Sequence, residues 1–227
     1  MNALSRQLVN QMEGQIPDEI KFRCDLISES QGDLFPAELV RIERAILSRK
    51  REYIAGRTSA RKALSNLGYE KFVILTGKNR EPLWPPSISG SITHEKEYCA
   101  TAVAQRQSIG YLGIDLATTE PLNIEVRDLI CTKKEIEYTQ NFPELPFDVD
   151  PHKILFSLKE SFFKCYYPRV LRYFDFKDVS LQIDTRNNQV QIEYENTDIF
   201  LPPYPKTKLK FFLTREYIFS IAWIVAQ

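Results

Sequence analysis

The chain has 227 residues, 43% of them hydrophobic, which is enough for one large domain or two small ones with cores of their own. Thirty basic residues balance thirty acidic ones, so no whole-molecule field draws nucleic acid or an anionic membrane, and any anion site must be a local cluster. Cys24, Cys99, Cys131 and Cys165 lie far apart without a CxxC pair, and only His94 and His152 could join them, which argues against a zinc site or a disulfide framework.

In chain order, Pro36 to about Leu67 reads as helix, with Leu39, Ile42, Ile46 and Leu47 at helical spacing, a break at Gly56 and a stop at Gly68. "FVILT" (Phe72 to Thr76) predicts a strand, and "NREPLWPPSISGS" predicts a loop by its proline and serine content. The apolar runs "YCATAVA" (Tyr98 to Ala104) and "YLGIDL" (Tyr111 to Leu116) flank the polar turn "QRQSIG" and predict a hairpin. Helical patterns resume after Pro121 through Tyr138. A loop with Pro143, Pro146 and Pro151 follows, then a helix from about Ile154 to Tyr167. "VSLQID", "QVQIEY", "KLKFFLT" and "YIFSIAWIV" close the chain as antiparallel strands. No leader pattern opens the sequence and no run nears the roughly 20 apolar residues of a membrane span, so the expected location is the cytoplasm.

Helix then strands occurs twice, and "EYCATAVA" (Glu97 to Ala104) echoes "EYIFSIAWIV" (Glu216 to Val225). The expected fold is α+β, a pseudo-two-fold pair of similar halves, 1–111 and 112–227, with a ligand cleft between them.

Four places could carry chemistry. In "LFSLKESFFK" (Leu155 to Lys164), Glu160 and Lys164 stand at i and i+4 and share a helix face with Phe156 one turn earlier; a surface ion pair is the bland alternative. Asp115 ends the apolar strand "GID". It is either a turn-capping aspartate or a ligand for a hard cation, for which Glu160 is the natural second carboxylate. In "REYIAGRTSARKAL", Arg57 and Arg61 lie one turn apart, where two guanidinium groups can fork around a phosphate, or simply form a solvated face. His94 in "GSITHE" is a further phosphate donor, or a structural histidine.

The order of these pieces, "KREYIAGRTSARKAL", "EPLWPPSISGSITH", "YLGIDL" and "LFSLKESFFKCYYP", resembles the Sfp-type 4'-phosphopantetheinyl transferases, in particular the enterobactin synthetase component D branch, from about Leu34 to Val225. The resemblance implies a pseudo-two-fold monomer that binds coenzyme A and a divalent cation, magnesium with manganese as the alternative. It also implies transfer of the phosphopantetheine arm to a serine of an apo acyl, aryl or peptidyl carrier protein of nonribosomal peptide, polyketide or fatty acid synthesis, releasing adenosine 3',5'-bisphosphate. By matching positions, Asp115 and Glu160 become metal ligands, Glu160 also the base, and Lys164 the pyrophosphate contact. Arg57 and His94 hold the 3'-phosphate, with Arg61, Thr93 and Lys159 as further cofactor-binding positions. One departure stands out: the pattern continues "GID" with a residue and then glutamate, whereas here Ala117 takes that place; Glu120 is the nearest acid, and water completing the magnesium shell is the alternative to it. The resemblance therefore leaves a catalytically silent coenzyme A-binding relative as the alternative to the active transferase.

Overall fold

A computed structural model of the chain describes residues 1–30, 32, 34–186, 189–200 and 204–226. The first round of structure comprises α1 (Ala3–Met12), β1 (Lys21–Leu26), the short α2 (Pro36–Leu39), the long α3 (Leu47–Ser65), β2 (Ile88–Glu95) and β3 (Tyr98–Gln105). The second comprises β4 (Ile109–Thr118), α4 (Ile124–Ile130), α5 (Lys133–Thr139), the long α6 (Pro151–Val170), β5 (Val179–Asp184), β6 (Gln189–Tyr194), β7 (Thr207–Leu213) and β8 (Tyr217–Val225). Three-stranded antiparallel sheets form in the orders β1-β3-β2 and β4-β8-β7. Each therefore follows one plan, strand, long helix, then a hairpin whose last strand takes the middle. β3 and β8, the two stretches that echo each other in sequence, hold equivalent central places. Central strands are covered on both faces, which is why both read as unbroken runs of small or apolar residues.

The two sheets share a core. Leu4, Leu8 and Met12 of α1, alternate alanines of β3, Ile114 and Leu116 of β4 and Phe219 and Ile221 of β8 form one buried cluster. α6 packs a second, more aromatic cluster against the other face of its sheet, built around Phe162, Tyr166, Phe174 and Phe200. β5 and β6 form a separate hairpin on that side.

Where the halves meet, β2 and β4 run side by side, and β2 side chains stand in for a backbone ladder. Ser89 Oγ donates to the Gly110 carbonyl at 2.7 Å, Ile114 N–H donates to Ser91 Oγ at 3.1 Å, and Leu116 N–H donates to Thr93 Oγ1 at 3.4 Å. Three alternate small hydroxyl residues thus satisfy the edge of the second sheet, as period-two geometry requires.

Several expectations are corrected. Ile88–Glu95 is a strand, although part of it read as loop; the serines and Gly90 that gave that impression serve the seam. A Cβ on Gly90 would lie 2.6 Å from Cε2 of Trp84, so only glycine lets that ring lie on the strand. Phe72 to Thr76 forms no strand beyond a single bridge between Thr76 and Pro82, because side chains take up its backbone groups: Ile74 N–H donates to Glu38 Oε1 and Arg57 Nε donates to the Ile74 carbonyl. The run ending at Ala104 and the one beginning at Tyr111 do not pair; β3 joins β1 and β2, and β4 joins β8. The helical break falls between the 3-10 turn Val40–Ile42 and Leu47, while Gly56 lies inside α3.

Candidate functional site

Gly113 sets the geometry of the site. A Cβ there would stand 2.1 Å from the Ser161 carbonyl oxygen and 2.4 Å from the Cys165 nitrogen, so its absence lets the backbone of α6 come down onto β4. That approach brings Glu160 and Lys164 over Asp115, two residues further along the same face of β4. Lys164 Nζ lies 2.7 Å from Asp115 Oδ1 and 3.9 Å from Glu160 Oε2. Asp115 is buried and fully engaged: Ser157 Oγ donates to Oδ2 at 3.0 Å and Thr93 Oγ1 to Oδ1 at 3.2 Å. Thr93 thereby touches β4 backbone, Asp115 and, at 3.4 Å, Lys164. Burial pushes the Glu160 carboxyl above the usual range, with Lys164 opposing and Asp115 reinforcing.

These groups fit a divalent cation. The donors are carboxylate and hydroxyl oxygens, the set that magnesium or manganese takes, and the Lys164 ammonium already occupies the space between the two acids as a positive stand-in. Ala117, at the next inward position of β4, is buried and offers no donor. Glu120 does not replace it, since it is exposed and pairs with Lys96 at 2.6 Å.

A second cluster lies in the N-terminal half. Arg41, Arg49, Tyr53, Arg57, Arg80 and His94 line a cavity of about 250 Å³. Arg49 Nη1 is 2.7 Å from His94 Nε2, and Glu52 joins both, 2.9 Å from Arg49 and 3.7 Å from the imidazole. Burial lowers the His94 pKa, while Glu52 raises it and Arg49 and Lys164 lower it further. Arg57 is buried beneath the pocket, stacked on Tyr53 with its carbon 4.4 Å from the ring centre; Nε and Nη2 donate to Ile74 O and Thr76 Oγ1. Arg49 escaped the sequence reading although it was findable: residues 49, 53 and 57 repeat every four positions and share one face of α3. Arg41 and Arg80 come from a turn and a loop, where no periodicity marks them. Arg80 also lines a larger cavity of about 820 Å³ between the halves, with Trp84, Gly90, Tyr111, Lys164 and Tyr167 among its walls.

Two candidates are removed from the site. Lys159 does not face the cleft with Glu160 and Lys164, because one step along a helix turns the side chain by about 100°. It is buried, paired with Glu135 at 2.7 Å, and donates to the carbonyls of Ile130, Phe176 and Val179. Arg61 pairs with the buried Glu38 at 2.9 Å and is not among the residues lining either cavity.

Comparison with known proteins fits this geometry. Residues 35–104 match the 4'-phosphopantetheinyl transferase N-terminal domain, and residues 111–222 match the 4'-phosphopantetheinyl transferase superfamily. The chain is 34% identical over 151 residues to 4'-phosphopantetheinyl transferase Svp of Streptomyces mobaraensis, covering 66% of this chain and 61% of that one. It is 32% identical to PptT of Mycobacterium tuberculosis, covering 71% of each chain. With enterobactin synthase component D of Escherichia coli K12 it shares 36% over 59% of this chain and 63% of the relative.

Proposed function

Since the chain belongs to the 4'-phosphopantetheinyl transferase superfamily, we propose that it transfers the phosphopantetheine arm of coenzyme A to a serine of an apo carrier protein. The observation that carries this reading is the placement of Asp115, Glu160 and Lys164 within one ion-paired cluster at the edge of a large inter-half cleft.

In this reading the N-terminal half, 1–111, holds the nucleotide and the C-terminal half, 112–227, carries the chemistry. Arg49, Arg57 and His94 bind the 3'-phosphate, with Arg41 and Arg80 adding positive charge at the mouth. The pantetheine arm runs along the apolar cleft past Trp84 and Tyr111. Lys164 leaves Asp115 for the pyrophosphate and Thr93 orients Asp115. Glu160, its pKa raised by burial, takes the proton of the incoming serine hydroxyl. The serine oxygen then forms a bond to the phosphorus bearing pantetheine, the bridging P–O bond breaks, and adenosine 3',5'-bisphosphate leaves with that oxygen. Asp115 and Glu160 would hold the magnesium or manganese ion, which neutralises charge on the pyrophosphate when bound.

The cellular setting proposed is the cytoplasm, with the protein acting as a monomer; among the described residues no helix is long and apolar enough to cross a membrane. The similarity to enterobactin synthase component D favours carrier domains of siderophore or other nonribosomal peptide assembly as partners. Incubation with coenzyme A, magnesium and an apo carrier protein, followed by intact-mass measurement, tests the proposal. One added phosphopantetheine per carrier supports it; coenzyme A binding with no mass gain would make the chain a silent relative.

A further inference from the structure

We propose that the carboxylate missing at position 117 is supplied across the seam by Glu95, which completes the cation site of Asp115 and Glu160. This inference rests on the function proposed above and asks which residue of this chain replaces the absent acid.

Strand periodicity carries the placement. Ser89, Ser91, Thr93 and Glu95 are alternate residues on one face of β2, and the first three all turn toward β4. Their partners climb β4 in the same direction, Gly110, Ile114 and Leu116, the last two in step with β2, so Glu95 comes next, alongside Ala117 and Thr118. Thr93 relates to Asp115 as Glu95 relates to Ala117, displaced by one strand period of about 6.6 Å. Thr93 reaches Asp115 with one short hydroxyl, at 3.2 Å. Glutamate extends two further bonds, enough to lean back toward Asp115.

Glu95 is also poorly satisfied where it stands. It is half-buried, yet among the described residues it has no hydrogen-bond or salt-bridge partner of its side chain. The charges that face it are Asp115 and Glu120, which repel it, and Lys153 and Lys96, which attract it. An unpaired carboxylate drawn out of water beside a second carboxylate is an unfavourable arrangement, and a divalent cation between them reverses its sign. By contrast Glu120 already has Lys96, and Ala117 is buried on β4 without a donor of its own. Among the described residues no three acidic, histidine or cysteine side chains already stand together as a cation cage. The Lys164 ammonium holds that place, so loading requires Lys164 to swing out and Glu95 to swing in.

The test is titration of the purified full chain with manganese alone, by calorimetry, on wild type, Glu95→Gln, Asp115→Asn and the double variant Glu95→Gln/Ala117→Glu. Glu95→Gln is expected to raise the manganese dissociation constant roughly ten- to a hundredfold, the range seen when one supporting group of a metal site is lost. Its melting temperature without metal should be unchanged, and the added glutamate at 117 should restore binding. If Glu95→Gln binds as tightly as wild type while Asp115→Asn loses affinity, the Glu95 inference is overturned and the metal site stands. If wild type binds no manganese, or Asp115→Asn changes nothing, the cation reading of the whole site falls with it.

Discussion

The two halves use one internal clamp and then diverge on the face turned to the cleft. In the first, Glu38 of α2 accepts from Phe35 N–H behind it, from Ile74 N–H of the segment after α3, and from Arg61 on α3. In the second, Glu135 of α5 accepts from Thr132 N–H behind it, from Leu181 N–H of the segment after α6, and from Lys159 on α6. A helix-start glutamate thus ties the long helix to its downstream chain in both, through a buried ion pair whose remaining lone pairs are satisfied by backbone. On the faces turned to the cleft the charges differ: Arg49 and His94 gather in the first half, Asp115 and Glu160 in the second. A repeated scaffold therefore provides the framework twice, while under the proposed function the two cleft faces supply complementary halves of one site.

Breaking the clamps should have the largest effect on stability. Lys159→Met leaves Glu135 buried without its cation and is expected to cost about 3 to 5 kcal/mol in urea unfolding. Arg61→Met should cost less, since the Arg61 side chain keeps 15% of its exposure to water against 1% for Lys159. A larger loss at Arg61 would show that the two clamps are not equivalent.

Next in size is the cationic face. Under the proposed function, Arg49→Ala should raise KM for coenzyme A roughly ten- to a hundredfold, the worth of a charge-assisted contact of about 1.5 to 3 kcal/mol, and leave dephospho-coenzyme A nearly unaffected. Arg61→Met should shift neither KM. Equal losses with both substrates would take Arg49 out of the phosphate pocket.

The smallest expected effect is a pH slope. His94 has a folded pKa below its ordinary value of 6.5, chiefly through burial. Below about pH 6.5 the unfolded chain therefore binds more protons at this residue, and the stability present above that pH is lost as pH falls toward the lower folded pKa. Unfolding free energies measured from pH 7.5 to 5 should show this decline, and His94→Gln should flatten it. An unchanged slope would place the responsible titration elsewhere.

Much of this division could be read in the sequence because helices repeat with a fixed period. Glu160 and Lys164 are i, i+4 partners, and their shared face follows from 3.6 residues per turn alone. The pairing of halves was likewise visible in the echo of β3 and β8. What could not be read depends on tertiary partners. Lys159 stands next to Glu160 in sequence, yet only the position of Glu135, 24 residues away, shows that it belongs to the core. β2 was obscured because a strand whose side chains serve a neighbouring backbone needs serine, threonine and glycine where a strand pattern calls for β-branched and aromatic residues. Phe72 to Thr76 failed in the opposite sense: its composition suits a strand, but Glu38 and Arg57 claim the Ile74 backbone groups.

The central claim is that the second half carries the chemistry while the first half holds the nucleotide. Its most direct test is turnover of Glu160→Gln, measured by intact mass of the carrier together with coenzyme A affinity and melting temperature. The variant keeps the shape of the side chain and removes the charge, so the rate should fall by about 10²- to 10⁴-fold, the worth of a positioned base, with coenzyme A binding and melting temperature close to wild type. Wild-type turnover by Glu160→Gln would contradict the account.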